Sequence, residues 1–442
     1  MSLSNADVTH LLFAFVLLLL AAHAFGWLFA RFHQPRVAGE ILGGLLLSPT
    51  LFGLLLPDWQ RTVFQGGRAT AVGLGVVYQL GLFLLMYCAG AELRSILTRR
   101  ERKATLGIAV AGNAVPFLAG ILFLAVYDTS RFLGPAHDKT AFMLVFALAM
   151  AVTSIPVISR IMADLGILGT RFARIVLSVA VVEDLVVYVV LNLALAMVAP
   201  PYAEAFSLPG LFRLQPASAL GNAYYVAVTL AFFALPLVAG PGFVQKLATM
   251  RGNIIHRGNP IAFQLVVMLT MTALASFLGV SPIFGALVAG ILAGDLHGDA
   301  EHARQTIQSF SYAFFVPLYF AVVGLRLDLI HDFEPLFFLV FLLFACLVKS
   351  VSTYAAARMT GEGKVGARNL AAALNARGGP GIVLASVAFD ARIIHEGFYT
   401  ILVMLALITS VIAGSWLEVI LKRGRGLLTD DQPDHQTRDA TA

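Results

Sequence analysis

The sequence predicts an all-α polytopic membrane protein of about thirteen transmembrane helices in two inverted repeats, on three observations. First, 59% of its 442 residues are apolar and 12% are charged, whereas a soluble chain carries about 45–50% and about 25%. Second, the apolar residues gather into runs near the roughly 20 residues that a membrane-spanning helix needs. Third, when the polar loops between runs are sorted alternately, 21 Lys and Arg fall on one side and 7 on the other. That positive-inside imbalance puts the N-terminus outside and the C-terminus in the cytoplasm. A cytosolic enzyme, a secreted disulfide scaffold and a disordered chain are excluded. The net charge of +5 lies in short loops, so the expected partner is the lipid bilayer and not nucleic acid. Cys88 and Cys346 sit inside apolar runs, which implies neither a disulfide framework nor a cysteine metal site.

The first run, 8–30, has no Lys or Arg before Arg31. It lacks the basic start of a signal peptide and is long enough to span, so it reads as a retained helix. The second, 37–56, carries Gly39, Glu40, Gly43 and Gly44 and then Ser48-Pro49. The third and fourth cover 70–93 and 104–127. The fifth, 141–159, is interrupted by Thr153-Ser154-Ile155-Pro156, and the sixth, 173–199, by the acidic pair Glu183-Asp184. The seventh, 221–244, links two halves, and the eighth is 261–279. The ninth, 281–295, opens on Ser281-Pro282, is rich in Gly and Ala and ends on Asp295, so it repeats the second in the opposite direction. The tenth is 310–327; the eleventh, 334–357, carries Lys349. The twelfth, 369–389, contains Arg377-Gly378-Gly379-Pro380-Gly381 where the fifth has its break, and the thirteenth is 397–421. Runs 1–6 and 8–13 therefore read as inverted repeats with matched breaks, a plan found in secondary transporters. Residues 1–421 read as one transmembrane domain and 422–442 as a short, polar cytoplasmic tail.

Charges at the bilayer centre cost at least about 2.5–3.5 kcal/mol, so each needs a reason. Glu183 and Asp184 lie between Val179-Ala180-Val181-Val182 and Leu185-Val186-Val187 and read as an ion or proton site. Lys349 has no acid near it in sequence, and Glu183 is its expected partner. Pro156, Gly378 and Gly379 free backbone groups that a cavity, an ion or neighbouring protein must satisfy. Arg377 either organises that break or touches the ion pathway. Glu40, Glu92 and Asp295 lie near cytoplasmic helix ends, where capping or pairing with Arg36, Arg94 or Arg304 is expected; Asn113 and Gln264 read as polar glue between helices. Gly361–Gly366 spells GxGxxG, but with no strand before it the string carries no nucleotide site. No cofactor is expected, and no nucleophile–base or metal constellation points to an enzyme.

Taken in order, several strings resemble the monovalent cation:proton antiporter-2 family of the sodium/proton exchanger superfamily, over about residues 8–421. They are Gly39-Glu40-Ile41-Leu42-Gly43, Ala89-Gly90-Ala91-Glu92-Leu93, Thr153-Ser154-Ile155-Pro156-Val157, the acidic pair, Phe315-Val316-Pro317-Leu318 through Val323-Gly324-Leu325, and Arg377-Gly378-Gly379. The resemblance implies a thirteen-helix fold with a mobile core domain and a dimerisation domain, hence a homodimer, in the bacterial inner membrane. It gives Asp184 the role of binding a monovalent cation and the proton, pairs Glu183 with Lys349, and lines the ion site with Thr153 and Ser154. This chain departs from the family at Glu183, where relatives commonly carry Asp, Asn or Gln.

The expected activity is exchange of sodium or potassium for protons by alternating access at a buried carboxylate, which can hold either ion. With Glu183, Asp184 and Lys349 together, more than one proton per cation is expected, one-for-one exchange being the competing view. A ligand-gated potassium-efflux system or membrane sensor is the alternative reading; Gln at 183 and an appended nucleotide-binding domain would favour it.

Overall fold

The computed structural model describes residues 4–428 apart from 33, 66, 97–101, 199–206, 213, 215–217, 251–252, 295, 297 and 425. Among the described residues, nine helices are long and apolar enough to cross a membrane, beside the shorter apolar helices Lys139–Ala151, Ala223–Pro236 and Pro282–Ala293. With Arg36–Leu46 they fill the expected segments. Segments 1 to 4 are Asn5–Arg31, Arg36–Leu46, Arg68–Ile96 and Arg102–Val126. Segment 5 is two half-helices, Lys139–Ala151 and Ile155–Asp164. Segments 6 to 9 are Arg171–Val198, Ala219–Thr249, Pro260–Phe277 and Pro282–Ala293. Segment 10 runs from Asp299 to Leu325 through a π-helical turn at Ser311–Phe315, and segment 11 is Pro335–Met359. Segment 12 is again two halves, Lys364–Ala373 and Gly378–Asp390, and segment 13 is Glu396–Lys422.

Two boundaries differ most from the sequence reading, for local reasons. Segment 2 stops at Leu46, ten residues early, because the residue before a proline is pushed out of the helical region at Ser48-Pro49. Segment 10 starts at Asp299 because Asp299–Phe310 is a polar helix that an apolar-run count misses.

The packing obeys the seven-segment shift of an inverted repeat. Segment 2 packs on 1 and 10, and segment 9 packs on 8 and 3; segment 5 packs on 4 and 6, and segment 12 on 11 and 13. Segments 1–3 and 8–10 thus form one bundle and segments 4–6 and 11–13 another, with segment 7 against segments 6 and 9. Two symmetry-related crossings of the first bundle are glycine contacts. A side chain on Gly44 would run into the Ala321 carbonyl, and one on Gly324 into that of Ile41. Likewise Gly290 lies on the Tyr87 carbonyl and Gly90 on that of Leu287. In lipid, where water drives no helix association, such close backbone approach supplies the packing. Outward-facing Leu12, Phe13, Val16 and Leu20 on segment 1 are each more than half exposed, as a lipid-facing surface requires.

Candidate functional site

The two broken segments meet at their breaks, and the accounting of their free carbonyls explains why the buried bases are there. A helix leaves its last four C=O groups without intrahelical partners. At the end of Lys139–Ala151, Leu148 O accepts from Val152 N at 2.9 Å. Ala149 O accepts from Arg377 Nε at 3.3 Å, Met150 O from Arg377 Nη2 at 3.2 Å and Ala151 O from Lys349 Nζ at 2.7 Å. At the end of Lys364–Ala373 the donors are neutral. Asn375 Nδ2 reaches Ala371 O at 3.2 Å and Thr153 Oγ1 reaches Leu374 O at 2.8 Å, while the Asn375 and Ala376 amides take Ala372 and Ala373. Cations beside a helix C-terminus are favoured by its dipole, so one broken helix ends on charge and the other on amides and a hydroxyl.

The opposite ends of the breaks are joined through Ser154. Its amide donates to Ala376 O at 2.7 Å, and its hydroxyl accepts from Val157 N at 3.4 Å and Gly379 N at 3.0 Å. One N-cap oxygen thereby serves the starts of both second halves. Ser410 Oγ accepts from Gly378 N at 3.2 Å and Thr409 Oγ1 from Arg377 N at 3.3 Å. Pro156 stands in the first turn of Ile155–Asp164, where its missing N–H costs nothing. A side chain on Gly378 would meet Ser154 Oγ at 2.7 Å and collide with Val157. Gly378→Ala should therefore part the two half-helices and cut transport at least tenfold, with a smaller effect on melting temperature; vesicle flux beside thermal unfolding checks it.

Lys349 is saturated. Besides Ala151 O, its ammonium donates to Glu183 Oε1 and Oε2, each at 2.9 Å, and to Gly112 O at 2.9 Å. Both side chains of the pair are fully buried. Arg377, 1% exposed, also donates to Ala345 O at 3.1 Å and to Asn375 O and Oδ1 at 3.2 and 3.1 Å. Of its two expected roles, the geometry gives it the organising one. Asp184, 2% exposed, stands apart. Its Oδ1 has no hydrogen-bond partner, and it forms none of the bonds that tie Thr153, Ser154, Glu183, Lys349, Arg377, Gly378 and Gly379 together. With both acids ionised, the two carboxylates balance Lys349 and Arg377.

Several polar residues behave differently from their sequence reading. Glu40 is 9% exposed; Arg36 acts on it through its charge, yet its Oε2 has no hydrogen-bond partner, and Asn113 Nδ2 is likewise without one. Gln264 does join helices, accepting from Tyr87 Oη at 2.6 Å and donating to Ala300 O. Asp295 lies outside the described residues. Sequence reasoning missed Asn375, Thr409 and Ser410; Asn375 stands just before the Gly-Gly break, whereas Thr409-Ser410 is a polar pair inside the apolar segment 13 and meets the break only in the fold.

The two halves of the interface between the bundles differ in their contacts, and each holds a cavity. On one half Arg326 Nη1 donates to Asp390 Oδ1 at 2.9 Å and Tyr78 Oη to Asp390 Oδ2 at 3.2 Å. Arg326 also stacks over the Tyr78 ring at 4.4 Å, Tyr319 Oη donates to Ser386 Oγ at 3.3 Å and Tyr399 Oη to Val323 O at 3.1 Å. On the basic-loop half a cavity of about 760 Å³ opens between the bundles, reaching from Arg36 and Arg160 inward to Val157 and Gly379.

Crossed, interrupted helices with a buried, unpartnered carboxylate beside a saturated ion pair are the architecture of a polytopic membrane protein of the transporter class. Residues 12–423 match the family described as sodium/hydrogen exchanger, transmembrane, and the chain belongs to that family. It is 28% identical over 400 residues to the Na(+)/H(+) antiporter NhaS4 of Synechocystis, covering 88% of this chain and 92% of that one. It is 26% identical to the Na(+)/H(+) antiporter of Enterococcus hirae, covering 89% and 93%. It is also 26% identical to K(+)/H(+) antiporter 1 of Saccharomyces cerevisiae, covering 92% of this chain but 46% of the yeast protein. The chain thus spans about half the length of the yeast relative, and likewise of Cation/H(+) antiporter 20 of Arabidopsis thaliana. The sodium proton antiporter MjNhaP1 of Methanocaldococcus jannaschii shares the fold, with a TM-score of 0.62 at 13% identity over 94% of this chain and 99% of that one.

Proposed function

We propose that this protein is a secondary active antiporter that exchanges a monovalent cation, Na+ or K+, for protons at Asp184. The observation that carries the reading is the unpartnered Asp184 Oδ1 in an otherwise satisfied polar core. A proton and a cation compete for the same carboxylate, so raising the pH increases apparent cation affinity. Thr153 and Ser154 hold the breaks beside it, and Lys349 with Arg377 holds the Glu183 charge and the helix end fixed. A homodimer assembled through the first bundle in the bacterial inner membrane, N-terminus outside, belongs to the same reading.

The saturation of Lys349 favours one-for-one exchange over the larger proton count expected from three ionisable groups. Its ammonium donates to four acceptors, so losing its proton would leave two N–H donors for two carbonyls and a carboxylate and would remove the charge that matches Glu183. Asp184 then titrates alone, and a bound cation replaces a bound proton with no change in site charge. The test is purified protein in liposomes with fixed ion gradients. Sodium or potassium pulses should dissipate a pH gradient, and a potassium–valinomycin potential should leave the sodium-driven exchange equilibrium unmoved. A moved charge would be worth about 2.3 kcal/mol per 100 mV and would refute the one-for-one count.

Alternating access is supported by the unlike halves of the bundle interface: a cavity on the basic-loop half, and on the other a polar latch beside a second cavity of about 710 Å³ lined by Leu82 and Asp390. Asp390→Asn should loosen that latch. Arg326 and Asp390 are each one-third exposed, so the stability cost stays at about 0–1 kcal/mol. The expected result is faster alkylation of a cysteine placed at Leu82, now 1% exposed, with unchanged labelling ruling the latch out.

A further inference from the structure

Six charged side chains are buried among the described residues: Glu40, Glu183, Asp184, Lys349, Glu362 and Arg377. Glu183 and Lys349 hold each other, Arg377 is held by carbonyls, and Glu362 Oε1 accepts from Arg171. Two carboxylates remain with an oxygen that nothing satisfies, Asp184 Oδ1 and Glu40 Oε2. The exchange reading uses the first and leaves the second unexplained.

Glu40 is on segment 2, in the first bundle, and lines the 760 Å³ cavity between the bundles. Glu92 of segment 3 lines the same cavity, and the Tyr312 hydroxyl from the π-helical turn of segment 10 lies against it, within the field of both acids. Burying a carboxylate oxygen without a partner is costly, and the charge of Arg36 offsets only part of that cost here. Arg36, one turn before Glu40, and Arg160 across the cavity are the cationic side chains in the lining, yet neither bonds Glu40 Oε2. The far end of the cavity is Val157 and Gly379, at the breaks of segments 5 and 12. A cavity this size holds about 25 waters at roughly 30 Å³ each, room for an ion that keeps part of its hydration shell.

We propose that Glu40, with Glu92 and Tyr312, forms a second site for a monovalent alkali cation, an antechamber between the basic-loop face and Asp184. Carboxylate and hydroxyl oxygens suit a hard cation; the six to eight oxygens that calcium takes are not assembled there. The site rests on the exchange reading for its ligand but not for its test.

The experiment measures cation-dependent thermal stabilisation of the full-length protein in detergent, with LiCl, NaCl, KCl or RbCl replacing choline chloride at constant ionic strength. In an Asp184→Asn background at least one of these salts should still raise the melting temperature. Adding Glu40→Gln should abolish that rise, and Glu40→Asp should restore most of it. In liposomes, Glu40→Gln alone should raise the cation KM from the basic-loop face about tenfold, a change worth 1.4 kcal/mol. No stabilisation in Asp184→Asn, or stabilisation indifferent to Glu40→Gln, overturns the antechamber and leaves the exchange reading standing. Wild-type exchange by Asp184→Asn overturns the carrier reading instead.

Discussion

Replacing Asp184 by Asn should reduce cation–proton exchange to the level of protein-free liposomes while leaving expression and folding intact. An amide can neither release a proton nor neutralise a cation, so the single group that alternates between the two ions is lost. Folding should survive for a reason visible in the geometry: Asp184 Oδ1 bonds to nothing, and the neutral amide removes the desolvation cost of a buried charge. The melting temperature of the variant should match or exceed that of the parent. Dissipation of a pH gradient in everted vesicles after sodium or potassium pulses, alongside thermal unfolding of the same preparations, measures both. Exchange near the parental rate would end the assignment of Asp184.

Lys349→Ala should produce the largest loss of stability of any single substitution at the site. The side chain is fully buried, and its removal leaves Glu183 uncompensated and strips the donors from Ala151 O and Gly112 O. Breaking a buried pair by removing one partner costs about 3–5 kcal/mol. Adding Glu183→Gln should return part of that loss by removing the stranded charge, though not the share owed to the two carbonyls. The double-mutant cycle of melting temperatures should therefore be non-additive. Strictly additive losses would mean that the two side chains do not support each other.

Much of the fold was legible because lipid imposes simple rules on a sequence. Apolar runs of spanning length, the Lys and Arg imbalance and two Gly- or Pro-marked interruptions led to thirteen segments and broken segments 5 and 12. What the runs hid was local polarity: Asp299–Phe310 is helical despite its charge, and Ser48-Pro49 shortened segment 2. The intramembrane charges stood out because their cost makes them rare, which is why Glu183, Asp184, Lys349 and Arg377 were visible as a set. For Glu40 the nearby charge of Arg36 was legible four residues away, but the oxygen left without a hydrogen bond was not.

The sequence by itself determined which groups had to be buried together, since charges at membrane depth must be matched wherever they occur in the chain. Beyond the Glu183–Lys349 pair, it did not determine who matches whom. Only the tertiary structure decided that Lys349 and Arg377 share the end of one half-helix, that Thr153 and Asn375 close the other, and that Asp184 and Glu40 keep an oxygen free. The physical reason is distance along the chain. Arg377 meets Ala149 across 228 positions and Lys349 meets Ala151 across 198, and no local periodicity encodes a contact that exists only when two inverted halves cross.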